Sequence, residues 1–172
     1  MNKDVYEISN EVFKIYIEVC YPDNFENNPL DILYIHGVSD ISFHDEVSKF
    51  LLSKNKDLII VRLVYKLERL EELSNYINKV LIDEINKKYL IMKKYIYCED
   101  LYGEIGYKLV EGNNYESICV YNYKNYNKLC KCKVILINDN NLYNEMIKEN
   151  IDVKLIKYNK NGYLSYIDYM CK

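Results

Sequence analysis

The sequence predicts an α/β fold built on a mostly parallel, twisted sheet of about eight strands flanked by helices. Three observations carry that prediction. Apolar runs at 32–35, 58–64 (broken only by Arg62) and 134–137 have the composition of strands buried on both faces. Segments with apolar residues at helical spacing separate the runs, so right-handed parallel crossovers are the expected connection. The stretch from Ile96 to Leu109 reads as a buried strand that turns abruptly into a helix, with Gly103 and Gly106 small where that helix must pack on the sheet.

Taken in order, Val12 to Tyr21 alternates, with Phe13, Ile15, Ile17 and Val19 on one face and Lys14, Tyr16 and Glu18 on the other. That pattern predicts a strand with one wet face, paired antiparallel with a short strand over Val5 to Ser9 at the sheet edge. Pro22-Asp23-Asn24 and Asn27-Asn28-Pro29 mark a loop. Ile32 to Ile35 is an apolar strand closed by His36-Gly37, and a helix follows over Phe43 to Lys54 with Val47, Phe50 and Leu51 on one face. After the strand Leu58 to Val64, apolar residues at 70, 73, 77, 80, 81 and 85 predict one long amphipathic helix over Leu67 to Lys88. Tyr95 to Cys98 and Leu101 to Glu111 form the strand and helix of the abrupt turn. Strands at Ile118 to Val120, Val134 to Ile137 and Val153 to Tyr158, with a helix over Leu142 to Glu149, complete the pattern. A further helix is expected from Tyr163 onward. Leu33–Ile35, Leu58–Val64 and Tyr95–Cys98 are expected at the centre of the sheet. No repeat, low-complexity linker or boundary interrupts the series, so residues 1–172 read as a single domain.

Composition narrows the function classes. A net charge of −3 lacks the clustered basic face that a nucleic-acid surface needs. No apolar run approaches the ~18 uncharged residues of a membrane span. The start, Met1-Asn2-Lys3-Asp4, has no apolar signal-peptide core, which makes the cytoplasm the expected location. Cysteines stand at 20, 98, 119, 130, 132 and 171. Cys130 and Cys132 have neither a second pair nor a nearby histidine to complete a zinc set, so no metal and no cofactor is expected. Cys20, Cys98 and Cys119 lie in strand-like runs, where a free thiol behaves as a small buried hydrophobe. Twenty tyrosines accompany an excess of Asn, Ile and Lys, a pattern that coding bias explains without an aromatic binding surface.

The order of these elements and their local motifs resemble the α/β-hydrolase superfamily, in particular its esterase/lipase branch of acetyl-esterases and hormone-sensitive-lipase relatives. Tyr34-Ile35-His36-Gly37 is similar to the strand and His-Gly that introduce the family's oxyanion loop. Val61 to Leu67 resembles a strand ending in a Tyr-Arg-Leu segment, and Cys98-Glu99-Asp100-Leu101-Tyr102-Gly103 aligns with the Gly-Asp-Ser-Ala-Gly-Gly nucleophile elbow. Val134 to Leu142 resembles the strand and loop that deliver the catalytic acid, and Lys154 to Ser165 the final strand and its Gly-His turn, here Gly162-Tyr163.

Carried across residue by residue, the resemblance implies a triad at Asp100, Asn141 (or its neighbour Asp139) and Tyr163, and an oxyanion loop of His36, Gly37, Val38 and Leu101. None of the three triad positions holds the family's serine, acid or histidine. A tyrosine, titrating near ~10, cannot shuttle a proton near neutral pH. Asp100 could attack carbon as aspartate does in dehalogenases and epoxide hydrolases, but that route still needs a histidine. Only His36 and His44 exist, both near the oxyanion loop. Val38-Ser39-Asp40 replaces the glycines expected after Gly37, and Tyr102 replaces a glycine of the elbow. The short Tyr121 to Lys131 crossover leaves no room for a cap.

Other groups have plainer readings. Cys98 precedes the turn and lacks a basic partner in sequence, while Glu68, Glu71 and Glu72 lie on the solvated side of the long helix. His44, Asp45 and Glu46 could hold a metal weakly, and Tyr121, Tyr123 and Tyr126 could stack on a ligand. Two function classes follow. The first is a degenerate hydrolase fold without catalysis, binding an unidentified small molecule or protein. The second is an active hydrolase of a small ester, thioester or amide that uses Asp100 or another non-standard nucleophile.

Overall fold

The structure is a computed structural model that describes residues 1–26, 30–37, 41–122 and 130–157, with backbone alone for 41–44. β1 (Asn2–Ser9) and β2 (Lys14–Tyr21) form an antiparallel pair with Asn2 opposite Tyr21 and Ser9 opposite Lys14. They are followed by β3 (Leu30–His36), α1 (Ile41–Lys54), β4 (Leu58–Tyr65), α2 (Leu70–Val80) and β5 (Ile91–Glu99). Next come α3 (Gly103–Val110), β6 (Ser117–Tyr121), β7 (Lys133–Ile137), α4 (Asn140–Lys148) and β8 (Val153–Ile156). The 8-stranded sheet has the order β1-β2-β4-β3-β5-β6-β7-β8. β2 meets β4 antiparallel, and every pair from β4 to β8 is parallel.

The apolar runs explain the central position of β4, β3 and β5. On one face of the sheet, Ile32, Tyr34, Ile59, Val61, Leu63 and Ile96 pack with residues of α2, α3 and α4. On the other, Leu33, Ile35, Leu58, Ile60 and Tyr97 pack with Val47, Leu51 and Leu52 of α1. A strand that meets helices on both sides cannot carry the apolar–polar alternation seen in β2, because neither face is wet.

Three elements differ in extent from expectation for identifiable reasons. The expected helix over Leu67 to Lys88 begins only at Leu70, because Arg69 takes a left-handed conformation (φ 48°) that no continuous helix accommodates. Its last part, Leu81–Asn86, widens into π-helical turns that still bury Leu81 and Ile85. β1 and β5 run further toward their N-termini than their apolar residues suggest. Their extra residues gain ladder partners: Asn2 pairs with Tyr21, and Ile91 with Leu30. The helix expected from Tyr163 onward lies outside the described residues. Among the described residues no helix is long and apolar enough to cross a membrane.

Candidate functional site at the carboxyl ends of the central strands

β5 delivers its chain to the elbow in extended form, Glu99 having φ −111° and ψ 147°. Asp100 then reverses to φ 48°, and the chain re-enters helical geometry through a single 3-10 turn, Asp100–Tyr102, ahead of α3. Such a left-handed residue between strand and helix projects its side chain outward from the sheet end, and aspartate bears that conformation more readily than most residues. Asp100 is exposed accordingly. Gly106, one turn into α3, is where the helix lies against the sheet. A Cβ added there would stand 2.4 Å from Cys98 Sγ and 3.1 Å from Ile118 Cδ1.

The Asp100 carboxylate is held by an amide. Asn122 Nδ2 donates to Asp100 Oδ1 at 2.7 Å. Asn122 directly follows β6 and is itself left-handed (φ 56°), which swings its side chain across the end of β5. Beside the elbow, Tyr97 donates its hydroxyl to Glu99 Oε1 at 3.0 Å. An exposed carboxylate and a second one next to it therefore mark this end of the sheet.

His36 and Gly37 close β3 on the neighbouring strand. In register, His36 lies beside Cys98, two residues before Asp100. Its ring is fully buried, and its Nδ1 faces the Tyr65 hydroxyl at 2.7 Å. Burial lowers the His36 pKa to about 3 and pushes the Tyr65 phenol up, so both are neutral in the folded protein. Gly37 has φ 86°, and a Cβ there would meet Tyr102 Cδ2 at 2.9 Å. Tyr102 thus packs over Gly37 at the end of β3. It donates its hydroxyl to the Tyr65 carbonyl at 3.2 Å and stacks edge-on to the Tyr65 ring at 5.4 Å. Cys98 is fully buried, with its thiol pushed up chiefly by that burial.

Of the positions aligned with a triad, Asp100 and Asn141 are described. Asn141 lies exposed in the first turn of α4. Asp139 is the N-cap of that helix, its Oδ1 accepting from the Leu142 amide at 2.9 Å. Leu101 projects outward, 67 % exposed. Tyr163, Val38 and Asp40 lie outside the described residues, as do Tyr123 and Tyr126; of His44 only the backbone is described. Glu68, Glu71 and Glu72 pair at the surface with Lys66, Lys108 and Arg69. Among the described residues no group of three metal-ligating side chains converges. Sequence reasoning missed Asn122 and the role of Tyr65. The signal for Asn122 was present in its type, since asparagine just after an apolar strand readily takes the left-handed turn.

A buried neutral imidazole makes stability pH-dependent, with a definite sign. The unfolded chain binds the His36 proton below its ordinary pKa of about 6.5, and the folded protein does not until about pH 3. Stability present above the unfolded value is therefore lost as pH falls through that window. Urea midpoints measured at about pH 7 and about pH 5 should fall more for the wild type than for His36→Gln, which carries no titrating ring. Equal slopes in the two proteins would remove His36 from the acid response.

No protein-family model matches the sequence, and no curated protein sequence matches it. Solved structures do. Est1E from Butyrivibrio proteoclasticus superposes with a TM-score of 0.71 at 10% identity, covering 97% of this chain and 97% of its own. One of two fungal esterases from Rhizomucor miehei gives 0.70 at 10% identity, covering 98% of this chain and 81% of its own. A predicted CIB-like hydrolase from Thermoplasma acidophilum gives 0.68 at 12% identity, covering 99% and 98%. Strand order, elbow and neighbours agree: the chain has the α/β-hydrolase fold, with esterases among the structures it resembles.

Proposed function

We propose that this chain is a single α/β-hydrolase domain, residues 1–172, that does not hydrolyse esters and acts as a cytoplasmic binding or scaffolding module for a small molecule or protein. The observation that carries the reading is the partner of the elbow carboxylate. Asp100 is held by the Asn122 amide at 2.7 Å, whereas the only histidine with a described side chain is buried against Tyr65. An amide neither takes up nor returns a proton, so among the described residues the elbow carboxylate has no partner that activates a nucleophile and then protonates a leaving group. A carboxylate attacking an acyl carbon also yields a labile anhydride in place of a useful acyl-enzyme.

A second reading has its own observation in support. Asp100 occupies the exposed, left-handed elbow position, where strain is commonly retained for chemistry. On that reading the protein hydrolyses a small ester, thioester or amide through the aspartate. Turnover of short p-nitrophenyl esters and acyl thioesters separates the two. The binding-module reading expects rates at buffer background, no fluorophosphonate label, and a gain below about tenfold in Asp100→Ser, since a lone nucleophile does not rescue a triad. Strong wild-type turnover that vanishes in Asp100→Asn would overturn it and make Asp100 the nucleophile.

A further inference from the structure

The thiols of this protein fall into two environments. Cys20, Cys98 and Cys119 are fully buried within strands, and burial raises each thiol, that of Cys20 to about 11. Cys130 and Cys132 stand just before β7, each partly exposed, with their Sγ atoms 3.5 Å apart. The single intervening residue, Lys131, is exposed, so both sulfurs face the same side of the chain. Because β7 runs parallel to β5, the amino end at which the pair sits is opposite the end that carries Asp100. The pair is therefore separate from the elbow.

We infer that Cys130 and Cys132 form a dithiol site for thiol–disulfide exchange with small-molecule disulfides. The two sulfurs share one hydrogen bond in which either can donate, and that contact lowers the Cys130 thiol to about 7 while raising that of Cys132. Cys130 is thus substantially thiolate near neutral pH and is the attacking group, while Cys132 resolves. In the first step the Cys130 thiolate bonds to one sulfur of the substrate disulfide. The substrate S–S bond breaks, and the departing thiolate takes a proton from solvent. In the second step Cys132 gives up its proton and attacks the Cys130 sulfur, releasing the second substrate thiol. The protein's two thiols are oxidised to one disulfide, and the substrate disulfide is reduced to two thiols. The sulfurs must close from 3.5 Å to the roughly 2.05 Å of the bond, a small movement for two side chains already in contact.

The test is incubation of the native full-length protein with glutathione disulfide, followed by alkylation, intact mass and peptide mapping. The wild type should lose two hydrogens and carry an internal bridge in the peptide that contains both Cys130 and Cys132. Cys132→Ser should stop at a mixed disulfide on Cys130. Cys130→Ser removes the contact that raises Cys132 but leaves that thiol desolvated and without a thiol donor, so it should form one at Cys132 about tenfold more slowly. Circular dichroism checks that both variants keep the wild-type fold. A wild type that accumulates a stable mixed disulfide on Cys130 without a bridge would overturn the proposal. So would one that leaves both thiols unreacted, or one whose two single variants react at equal rates.

Discussion

Gly106→Ala is expected to lower stability by about 1–3 kcal/mol, even though alanine favours a helix over glycine by about 1 kcal/mol. The added methyl carbon would stand 2.4 Å from Cys98 Sγ, and that sulfur is fully buried under the helix. Close packing leaves the pair no free volume, so either α3 lifts from β5 and β6 or the thiol leaves its rotamer. Both movements disturb the elbow, because Asp100 lies between Cys98 and Gly106. The discriminating measurement is the double variant. Cys98→Ala removes the clashing sulfur and leaves Cys98 Cβ at an ordinary 3.6 Å, so Gly106→Ala should cost far less in that background. Additive urea midpoints would show that helix and strand are not in the contact described.

The other large effect belongs to Arg62. Its guanidinium is completely buried beneath α1, with Asp45 Oδ1 at 2.7 Å from one terminal nitrogen and Glu18 paired to the other. Lys3 adds a second cation, 3.2 Å from Glu18 and 4.0 Å from Asp45. Arg62→Ala should cost about 3–5 kcal/mol, since it leaves two carboxylates beside a cavity with one partly exposed lysine. Replacing the cluster together, as Arg62→Met with Glu18→Gln and Asp45→Asn, should recover most of that loss, because apolar packing often matches a buried ion pair. Chemical denaturation of both variants provides the check. A triple variant no more stable than Arg62→Ala would mean that volume, not charge, sets the cost.

The two residues also show how far sequence reading reaches. Gly106 was legible, because a small residue one turn after a strand-to-helix turn has a local reason to be small. Arg62 appeared only as an interruption in an apolar run. Its partners come from β2 and α1, and Glu18 meets it through the antiparallel register that sets Glu18 opposite Arg62. The same division runs through the candidate site. The elbow, the left-handed Asp100 and the His36-Gly37 strand end follow from neighbours in the chain. Asn122 on Asp100, Tyr65 on His36 and Tyr102 over Gly37 join residues brought together by strand order.

By itself, then, the sequence determined where most strands and helices form, which strands lie at the centre, and that an aspartate, Asp100, stands at the strand-to-helix turn. Apolar periodicity, glycine placement and turn chemistry act over a few residues, so they can be read along the chain. Only the tertiary structure decided which side chains answer one another: the amide that holds Asp100, the phenol that buries with His36, the carboxylates around Arg62 and the aligned sulfurs of Cys130 and Cys132. For the first three, the partners come from different strands and helices. Such contacts depend on register and crossover direction, where a one-residue slip turns a side chain to the opposite face. For the two cysteines, close in sequence, the deciding factor was the path of the chain before β7, which brings the two sulfurs to 3.5 Å.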